Sequence, residues 1–214
     1  MHPLEPNHVL FKYMHKAHAT RLLREGVVRI GTLYEYRDIE KHGVVVGDDS
    51  EGTKSAAMHV PNLTMTKQEH VPEFVRSRVR IVGNTTVQMI NSKFILSEES
   101  PNFYIYSLAE ECSPALMKEL GYEACVRIAD TDGFFSALNK CFRHYFRSGA
   151  LHRCVYMPRQ VPHNEQHEIH PALIKDPRYA DQKEYRFIWE PKGTNIRPVM
   201  LKCRKLSQWC SLVL

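Results

Sequence analysis

An amide and a carboxylate stand two residues apart, at Gln182 and Glu184, in the segment YADQKEYRFIWEP, residues 179 to 191. The segment passes from polar residues into a run of strand formers, so we expect a β-strand to begin near Gln182. Residues two apart in a strand face the same way, which puts Gln182 and Glu184 on one face near its start. A carboxylate stabilises positive charge that develops in a reaction, and an amide both donates and accepts hydrogen bonds. The pair could take part in catalysis if other polar groups face it.

The first predicted elements could supply such groups. We expect a strand at residues 9 to 14, a short helix at residues 16 to 26 and a second strand at residues 27 to 38. This strand, helix and strand could bring several polar and aromatic side chains together: Lys12 and Tyr13 on the first strand, and Arg29, Tyr34 and Tyr36 on or after the second.

The rest of the chain predicts many short strands and few helices. Residues 41 to 55 carry turn signals and indicate a loop. Helices are expected at residues 112 to 121 and 130 to 146, the second with core aromatics at helical spacing. An antiparallel meander is expected from RSRVRIVG, TTVQMINSKFIL and NFYIYSLAE, the last of which contains Ser107. Without regular β-α alternation, the pattern indicates an α+β protein built on antiparallel or mixed sheets.

Composition sets further bounds. The chain has 214 residues, of which 43% are hydrophobic and 25% are charged, so we expect a single globular domain over residues 1 to 214. It has no apolar run of about 18 residues and no signal-peptide layout, which predicts a cytoplasmic protein without a membrane partner. The net charge of +5 permits an anionic partner. The six cysteines lack CxxC spacing, so we expect buried free thiols rather than disulfides or zinc ligands.

Common catalytic and phosphate-binding motifs are missing from the sequence. There is no Walker A sequence, no GxGxxG and no GxSxG. His163, His167 and His170 could bind a metal if they lay on a helix, but Pro162 and Pro171 bracket them. We therefore expect a polar loop there and no metal site.

Three predicted strands nevertheless carry candidate functional residues in a particular chain order. An Arg strand with Arg29, a Ser strand with Ser107 and a strand with Gln182 and Glu184 resemble, in that order, the three-part signature of ADP-ribosyltransferases. The resemblance covers about residues 9 to 190, and it is closest to a broad group of bacterial proteins of that superfamily, often left as domains of unknown function. It implies an ADP-ribosyltransferase-like fold of two packed, mostly antiparallel sheets with a few flanking helices. The matching segments are FKY, VRIGTLYEYRDIEKHG…GDDSEG, YIYSLAEE followed by LMKELGYEACVRI, and LIKDPRYADQKEYRF.

The resemblance also implies roles for individual residues toward NAD. Cleavage of the nicotinamide–ribose bond passes through an oxocarbenium-like state, which Glu184 would stabilise. Arg29 would hold the phosphates of NAD with its fork of donors. Ser107 would support Glu184 by a hydrogen bond or shape the nicotinamide pocket. Further contacts to NAD or to the acceptor are expected from Lys12, Tyr13, Tyr34 and Tyr36, with the tyrosine rings available for stacking.

Gln182 bears on the acceptor. Its amide can hold a nucleobase or a side-chain amide. In the superfamily, a Glu at this position goes with arginine acceptors, and Gln is found where asparagine, guanine and other groups are modified. Together with the basic charge this predicts a nucleic-acid acceptor, RNA first, for a bacterial toxin or anti-phage effector that an antitoxin or inhibitor protein could restrain. The alternatives are an NAD glycohydrolase, a protein-modifying transferase, and a non-catalytic nucleic-acid-binding module.

Overall fold

The computed structural model describes residues 8 to 38, 47 to 76 and 78 to 214. Within these ranges it contains three α-helices: α1 (Lys16–Glu25), α2 (Pro114–Glu119) and α3 (Thr131–Phe142). The same ranges contain thirteen strands: β1 (Leu10–Met14), β2 (Val27–Thr32), β3 (Thr53–Met65), β4 (Val87–Glu99), β5 (Tyr104–Ala109), β6 (Ala124–Ile128), β7 (Phe146–Arg153), β8 (Val155–Tyr156), β9 (Gln160–Pro162), β10 (Ile174–Lys175), β11 (Glu184–Pro191), β12 (Val199–Lys202) and β13 (Cys210–Leu212).

Eight of the strands form one antiparallel sheet with β5 at its centre: β1, β2, β5, β6, β7, β11, β12 and β13. Along one edge, β11 pairs with β5 from Glu184 opposite Ala109 to Trp189 opposite Tyr104. On the other edge, β2 pairs with the start of β5 and β1 pairs with its end. The strands β1 and β2 therefore diverge from each other beside residues 106 to 108.

Apolar side chains between this sheet and the helices α1 and α3 form the largest core. Helix α3 contributes Phe134, Leu138 and Phe142, which are fully buried and recur at helical spacing. Strand β11 contributes Phe187 and Trp189 from its inner face. Burial of such side chains stabilises the fold by about 25 cal/mol per Å² of apolar surface. The core holds β11 in place and so sets the position of the residues at its start.

Helix α1 connects the two strands that diverge. It ends at Gly26, which has a φ of 67° and whose N–H bonds back to carbonyls of the last turn. A Cβ at Gly26 would lie 2.1 Å from the backbone oxygen of Cys203, so glycine is required both for the turn and for the close approach. The chain enters β2 at the next residue.

The remaining strands form two smaller sheets. The 13-residue strands β3 and β4 make a long antiparallel hairpin, and β9 pairs with β3 in parallel. Met65, Val71 and Val75 are buried beneath this sheet. The short strands β8 and β10 pair in parallel.

The predicted fold class is confirmed in its coarse form. The structure is α+β, its sheets are mostly antiparallel, and the three described helices lie where helices were expected. The described strands form three sheets of eight, three and two strands rather than two packed sheets. No helix in the described part of the chain is long and apolar enough to span a membrane.

Three local predictions were wrong. The strand expected at residues 27 to 38 ends at Thr32, and a 3-10 helix follows at Tyr34–Arg37. The loop expected at residues 41 to 55 is too long: residues 47 to 52 form a loop with turns as expected, but β3 begins at Thr53, and residues 41 to 46 lie outside the described residues. β3 takes β4 as its partner, so the expected meander does not form.

The segment RSRVRIVG also forms no strand in its described residues, of which Ser77 is not one. The side chain of Gln68 explains why. Its amide nitrogen donates to the Val79 carbonyl at 3.2 Å, and its amide oxygen accepts from the Ile81 N–H at 2.7 Å. These bonds satisfy backbone groups that a neighbouring strand would otherwise satisfy.

The cysteine prediction was wrong for one pair. Cys141 on α3 and Cys203 after β12 form a disulfide across 62 residues of sequence, with their Cα atoms 6.1 Å apart. The packing of α3 against the segment after β12 creates this proximity, which the spacing of cysteines in the sequence does not reveal. Cys112, Cys125, Cys154 and Cys210 are free thiols.

Candidate active site

An open cleft lies beside the point where β1 and β2 diverge from β5. Its space, with the open mouth included, is about 650 Å³. Polar and charged side chains line it together with aromatic and apolar ones: Phe11, Lys12, Tyr13, Tyr36, Glu51, Ser107, Leu108, Ala109, Leu116, Leu120, Tyr122, Lys175, Gln182, Glu184 and Arg186.

Gln182 and Glu184 both line the cleft, although not by the expected route. Gln182 is the last residue of the 3-10 helix Pro177–Gln182, and β11 begins only at Glu184. The prediction that the two share a strand face is therefore wrong. Between them, Lys183 has a φ of 39°, and its carbonyl accepts from the Glu110 N–H at 3.0 Å. This left-handed residue turns both neighbouring side chains into the cleft.

Glu184 is a buried carboxylate whose charge is balanced by two cations. Lys175 Nζ donates to Glu184 Oε2 at 2.6 Å, and Arg186 Nε donates to Oε1 at 2.7 Å. The same Lys175 ammonium donates to Oε1 of Gln182 at 2.7 Å, so the amide and the carboxylate meet on one cation. Burial alone would raise the pKa of Glu184, but Arg186 and Lys175 outweigh burial and hold that pKa well below its usual range. Glu184 is therefore an anion near neutral pH.

Arg186 extends this network to a second carboxylate of the cleft. Its Nη1 and Nη2 donate to the two carboxylate oxygens of Glu51 at 2.8 and 3.1 Å. Arg159 lies 3.9 Å from Glu51 and donates to Asp48 at 2.6 Å. Among the described residues, three cations thus face three carboxylates, and the network is neutral as a whole: Lys175, Arg159 and Arg186 against Asp48, Glu51 and Glu184.

Lys12 reaches across the gap between the diverging strands. Its ammonium donates to the carbonyl oxygen of Ser107 at 2.6 Å and lies 4.7 Å from the centroid of the Tyr106 ring. Burial lowers the pKa of Lys12 to about 8, against the attraction of Glu184. An anion that entered the cleft would offset this burial and stabilise the charged ammonium.

Ser107 lies on the same sheet face as Glu184. It pairs with Arg186 across the β5–β11 ladder, and residues opposite each other in a sheet share a face. Glu184 accepts its hydrogen bonds from Lys175 and Arg186. Of the two roles expected for Ser107, this arrangement fits a wall of the pocket rather than a hydrogen-bonding support of Glu184.

Two of the predicted tyrosines line the cleft. The Tyr13 hydroxyl donates to the Glu111 carbonyl at 2.8 Å and accepts from the Ser113 N–H at 2.6 Å, so it anchors the start of α2. The Tyr36 ring lies against β2, where a Cβ at Gly31 would be 3.0 Å from its hydroxyl oxygen. Burial raises the pKa of Tyr36, which keeps its phenol neutral.

Arg29 and Tyr34 are not among the described residues that line the cleft. Arg29 forms an ion pair with Glu35. Its charge adds to the effect of burial in lowering the pKa of Lys12, so Arg29 lies near the cleft. The Tyr34 hydroxyl donates to the Ser100 carbonyl at 2.7 Å. The structure thus brings Arg29 beside the site and leaves Tyr34 outside the cleft wall.

The sequence analysis missed three charged residues of the site: Glu51, Lys175 and Arg186. Arg186 stands two residues after Glu184, and strand periodicity alone could have placed it on the same face. Glu51 is 135 residues from Arg186 in the chain, and only the fold brings the two together. Lys175 was visible in the matching segment LIKDPRYADQKEYRF but carried no signal of its role.

Comparisons of the chain with protein-family models, with curated proteins and with solved structures found no match. The chemistry of the cleft must therefore be inferred from its own residues. An anionic Glu184 on a partly aromatic wall suits a reaction that develops positive charge. Lys12 and the nearby Arg29 suit a ligand that carries phosphate groups.

Proposed function

We propose that this protein is an NAD-dependent ADP-ribosyltransferase, with a fold of that type, which transfers ADP-ribose to a macromolecular acceptor, RNA first. The observation that supports this most is the buried, ionised Glu184 on the cleft wall, joined to Gln182 through Lys175. A carboxylate that must be anionic beneath a forming sugar cation is the central requirement of this chemistry.

In the proposed reaction, the bond between the nicotinamide nitrogen and ribose C1′ breaks, and its electron pair leaves with nicotinamide. Glu184 stabilises the sugar cation that results. Its Oε2 accepts from Lys175 Nζ and, at 3.5 Å, from Arg186 Nη2, whereas its Oε1 accepts from Arg186 Nε and keeps further lone-pair capacity for a ribose hydroxyl. A nucleophilic atom of the acceptor then bonds to C1′ and loses its proton to the solvent. Water in place of the acceptor would give hydrolysis of NAD.

The other residues of the cleft fit NAD as the substrate. The Lys12 ammonium donates a short hydrogen bond to the Ser107 carbonyl, and burial disfavours its charged form. The pyrophosphate of NAD would offset this unfavourable burial. Tyr36 and Tyr122 offer aromatic surface to a nicotinamide or adenine ring. Arg29 would bind the phosphates by exchanging its Glu35 partner for them.

Incubation with NAD labelled in its adenine ring, with separate pools of RNA, DNA and protein, tests the proposal. We expect label in RNA and release of nicotinamide in the same proportion. Glu184→Gln should abolish both, and the exposed Glu168→Gln, which makes the same chemical change away from the cleft, should abolish neither.

Each other outcome has a definite meaning. Label in protein alone would retain the transferase and replace its acceptor. Nicotinamide release without label in any pool would identify an NAD glycohydrolase. Absence of both products would refute the enzymatic proposal and leave a binding module.

A further inference from the structure

A tyrosine outside the cleft wall holds the backbone of Glu184. Tyr156 is not among the described residues that line the cleft, but its hydroxyl oxygen accepts from the Glu184 N–H at 2.7 Å. The Glu184 carbonyl accepts from the Cys154 N–H at 2.9 Å. β7 ends at Arg153, and the chain then enters β8, which pairs with β10 instead of β11. The Tyr156 hydroxyl therefore supplies an acceptor to Glu184 at a point where β7 no longer accompanies β11.

This hydrogen bond fixes the peptide unit that joins Lys183 to Glu184. The carbonyl of the unit accepts from the Glu110 N–H at 3.0 Å, and its N–H is the one that donates to Tyr156. The two groups point in opposite directions, so the unit is held from the end of β5 and from β8. Lys183 has a φ of 39°, and a left-handed residue other than glycine persists only where its surroundings hold it. Rotation of this unit would change the direction of the Glu184 side chain.

The carboxylate of Glu184 is held from the same small sheet. Tyr156 on β8 lies opposite Lys175 on β10, and Lys175 Nζ donates to Glu184 Oε2 at 2.6 Å. The two paired residues thus bind the backbone and the side chain of Glu184. Burial raises the pKa of Tyr156, so its phenol stays neutral near neutral pH. Its contact with the Glu184 N–H is therefore an uncharged hydrogen bond.

We propose that Tyr156 is a positioning residue for Glu184: its hydroxyl fixes the Lys183–Glu184 peptide and so directs the carboxylate into the cleft. For catalysis the inference rests on the proposed function, whereas the effect on the backbone needs no NAD. Because Tyr156 lies outside the cleft wall, its loss should lower the rate rather than the affinity for NAD. Misplacement by about 1 Å can cost on the order of a hundredfold in rate. We expect about tenfold here, because Lys175 still holds the carboxylate.

Tyr156→Phe, which removes only the hydroxyl, tests the inference by hydrogen exchange and by kinetics. In NMR measurements without NAD, the Glu184 amide should exchange at least tenfold faster, and the Phe187 amide on the same strand should be unchanged. The kcat of nicotinamide release should fall about tenfold with an unchanged KM. Thr131→Val is the matched control, because it removes a fully buried hydroxyl that donates to the His8 carbonyl at 2.6 Å, away from the cleft. It should lower the melting temperature and leave kcat and the Glu184 amide unchanged.

A second variant separates positioning from general stability. Glycine adopts a left-handed conformation without strain, so in a Lys183→Gly background the turn depends less on the Tyr156 hydroxyl. Tyr156→Phe should therefore reduce kcat by a smaller factor in that background than in the wild-type protein. An equal factor in both backgrounds would show that the hydroxyl does not act through the turn and would overturn the inference.

The remaining outcomes are equally definite. Unchanged exchange at Glu184 in Tyr156→Phe overturns the inference, as does faster exchange with a wild-type kcat or an equal loss of kcat in Thr131→Val. If the wild-type protein releases no nicotinamide, the proposed function fails separately. A crystal structure of Tyr156→Phe then decides the inference: a Glu184 carboxylate turned out of the cleft supports it, and one that keeps its place overturns it.

Discussion

Replacement of Glu184 by Gln should affect folding and catalysis by separate mechanisms, and the structure shows how to tell them apart. The substitution keeps the shape of the side chain but removes one of the three carboxylates of a neutral buried network. Lys175 is then left without a carboxylate partner at 2.6 Å, whereas Arg186 keeps Glu51. Breaking a buried ion pair on one side typically costs about 3 to 5 kcal/mol. We expect a loss near the lower figure, because Lys175 can still donate to Gln182.

The second substitution Lys175→Met should restore much of this stability. It removes the unpaired ammonium, returns the network to neutrality and fills a similar volume with an apolar chain. The double variant Glu184→Gln/Lys175→Met should therefore unfold at higher urea than Glu184→Gln alone. Neither variant should recover catalysis, since both lack the carboxylate. The rate of nicotinamide release should stay down by on the order of a hundredfold or more.

Urea unfolding followed by tryptophan fluorescence gives the free energies, and nicotinamide release at a temperature where all variants are folded gives the rates. The pH dependence of the free energy of unfolding provides a further check. Because the folded-state pKa of Glu184 is depressed, its stabilising effect is complete above the unfolded value of about 4.3 and is lost as the pH falls below it. A double variant no more stable than Glu184→Gln would refute the charge-balance reasoning. Near-wild-type turnover in Glu184→Gln would refute its catalytic role.

Three other changes test individual residues. The affinity for NAD, measured by titration calorimetry, should fall as the pH rises through about 8, where Lys12 loses its proton. Lys12→Met should bind NAD weakly and without that pH dependence. Lys183→Gly should keep activity and thermal stability. Lys183→Val should lose about 1 to 2 kcal/mol of folding stability and much of the activity, because a φ of 39° disfavours a β-branched side chain. Equal melting temperatures for the Gly and Val variants would contradict this. Gln182→Ala should lose labelling of the acceptor but retain slow hydrolysis of NAD, and equal loss of both products would assign Gln182 to the NAD site.

Local signals in the sequence were enough to place the main helices. Asp130 caps α3 by accepting from the Gly133 N–H at 2.9 Å, and the apolar spacing of Phe134 and Phe142 defines the buried face. Gly26 terminates α1 by adopting a φ of 67°, with its N–H bonded back to the carbonyls of Arg21 and Leu22. These features involve residues within a few positions of each other, which is why pattern and capping rules detect them.

The features that failed depend on distant partners or on unusual backbone. β3 contains Pro61 and two adjacent alanines and is a weak strand by composition, yet twelve residues of β4 pair with it. Nothing in the letters QKE shows that Lys183 adopts a positive φ, because lysine rarely does so. The order of motifs could therefore nominate Gln182 and Glu184 but could not show how the chain aims them.

The cleft itself has a cause that no single motif contains. β5 takes β11 on one edge and shares its other edge between β2 and β1, so a gap must open where those two strands diverge. Lys12 fills part of that gap from β1, while Lys175 and Arg186 hold Glu184 ionised from β10 and β11. Since Lys175 and Arg186 come from two separate strands, the anionic charge of Glu184 is set by the fold before any substrate arrives. An electrostatic arrangement fixed in advance needs little reorganisation when a sugar cation forms, and this preorganisation is the physical basis for expecting catalysis at Glu184.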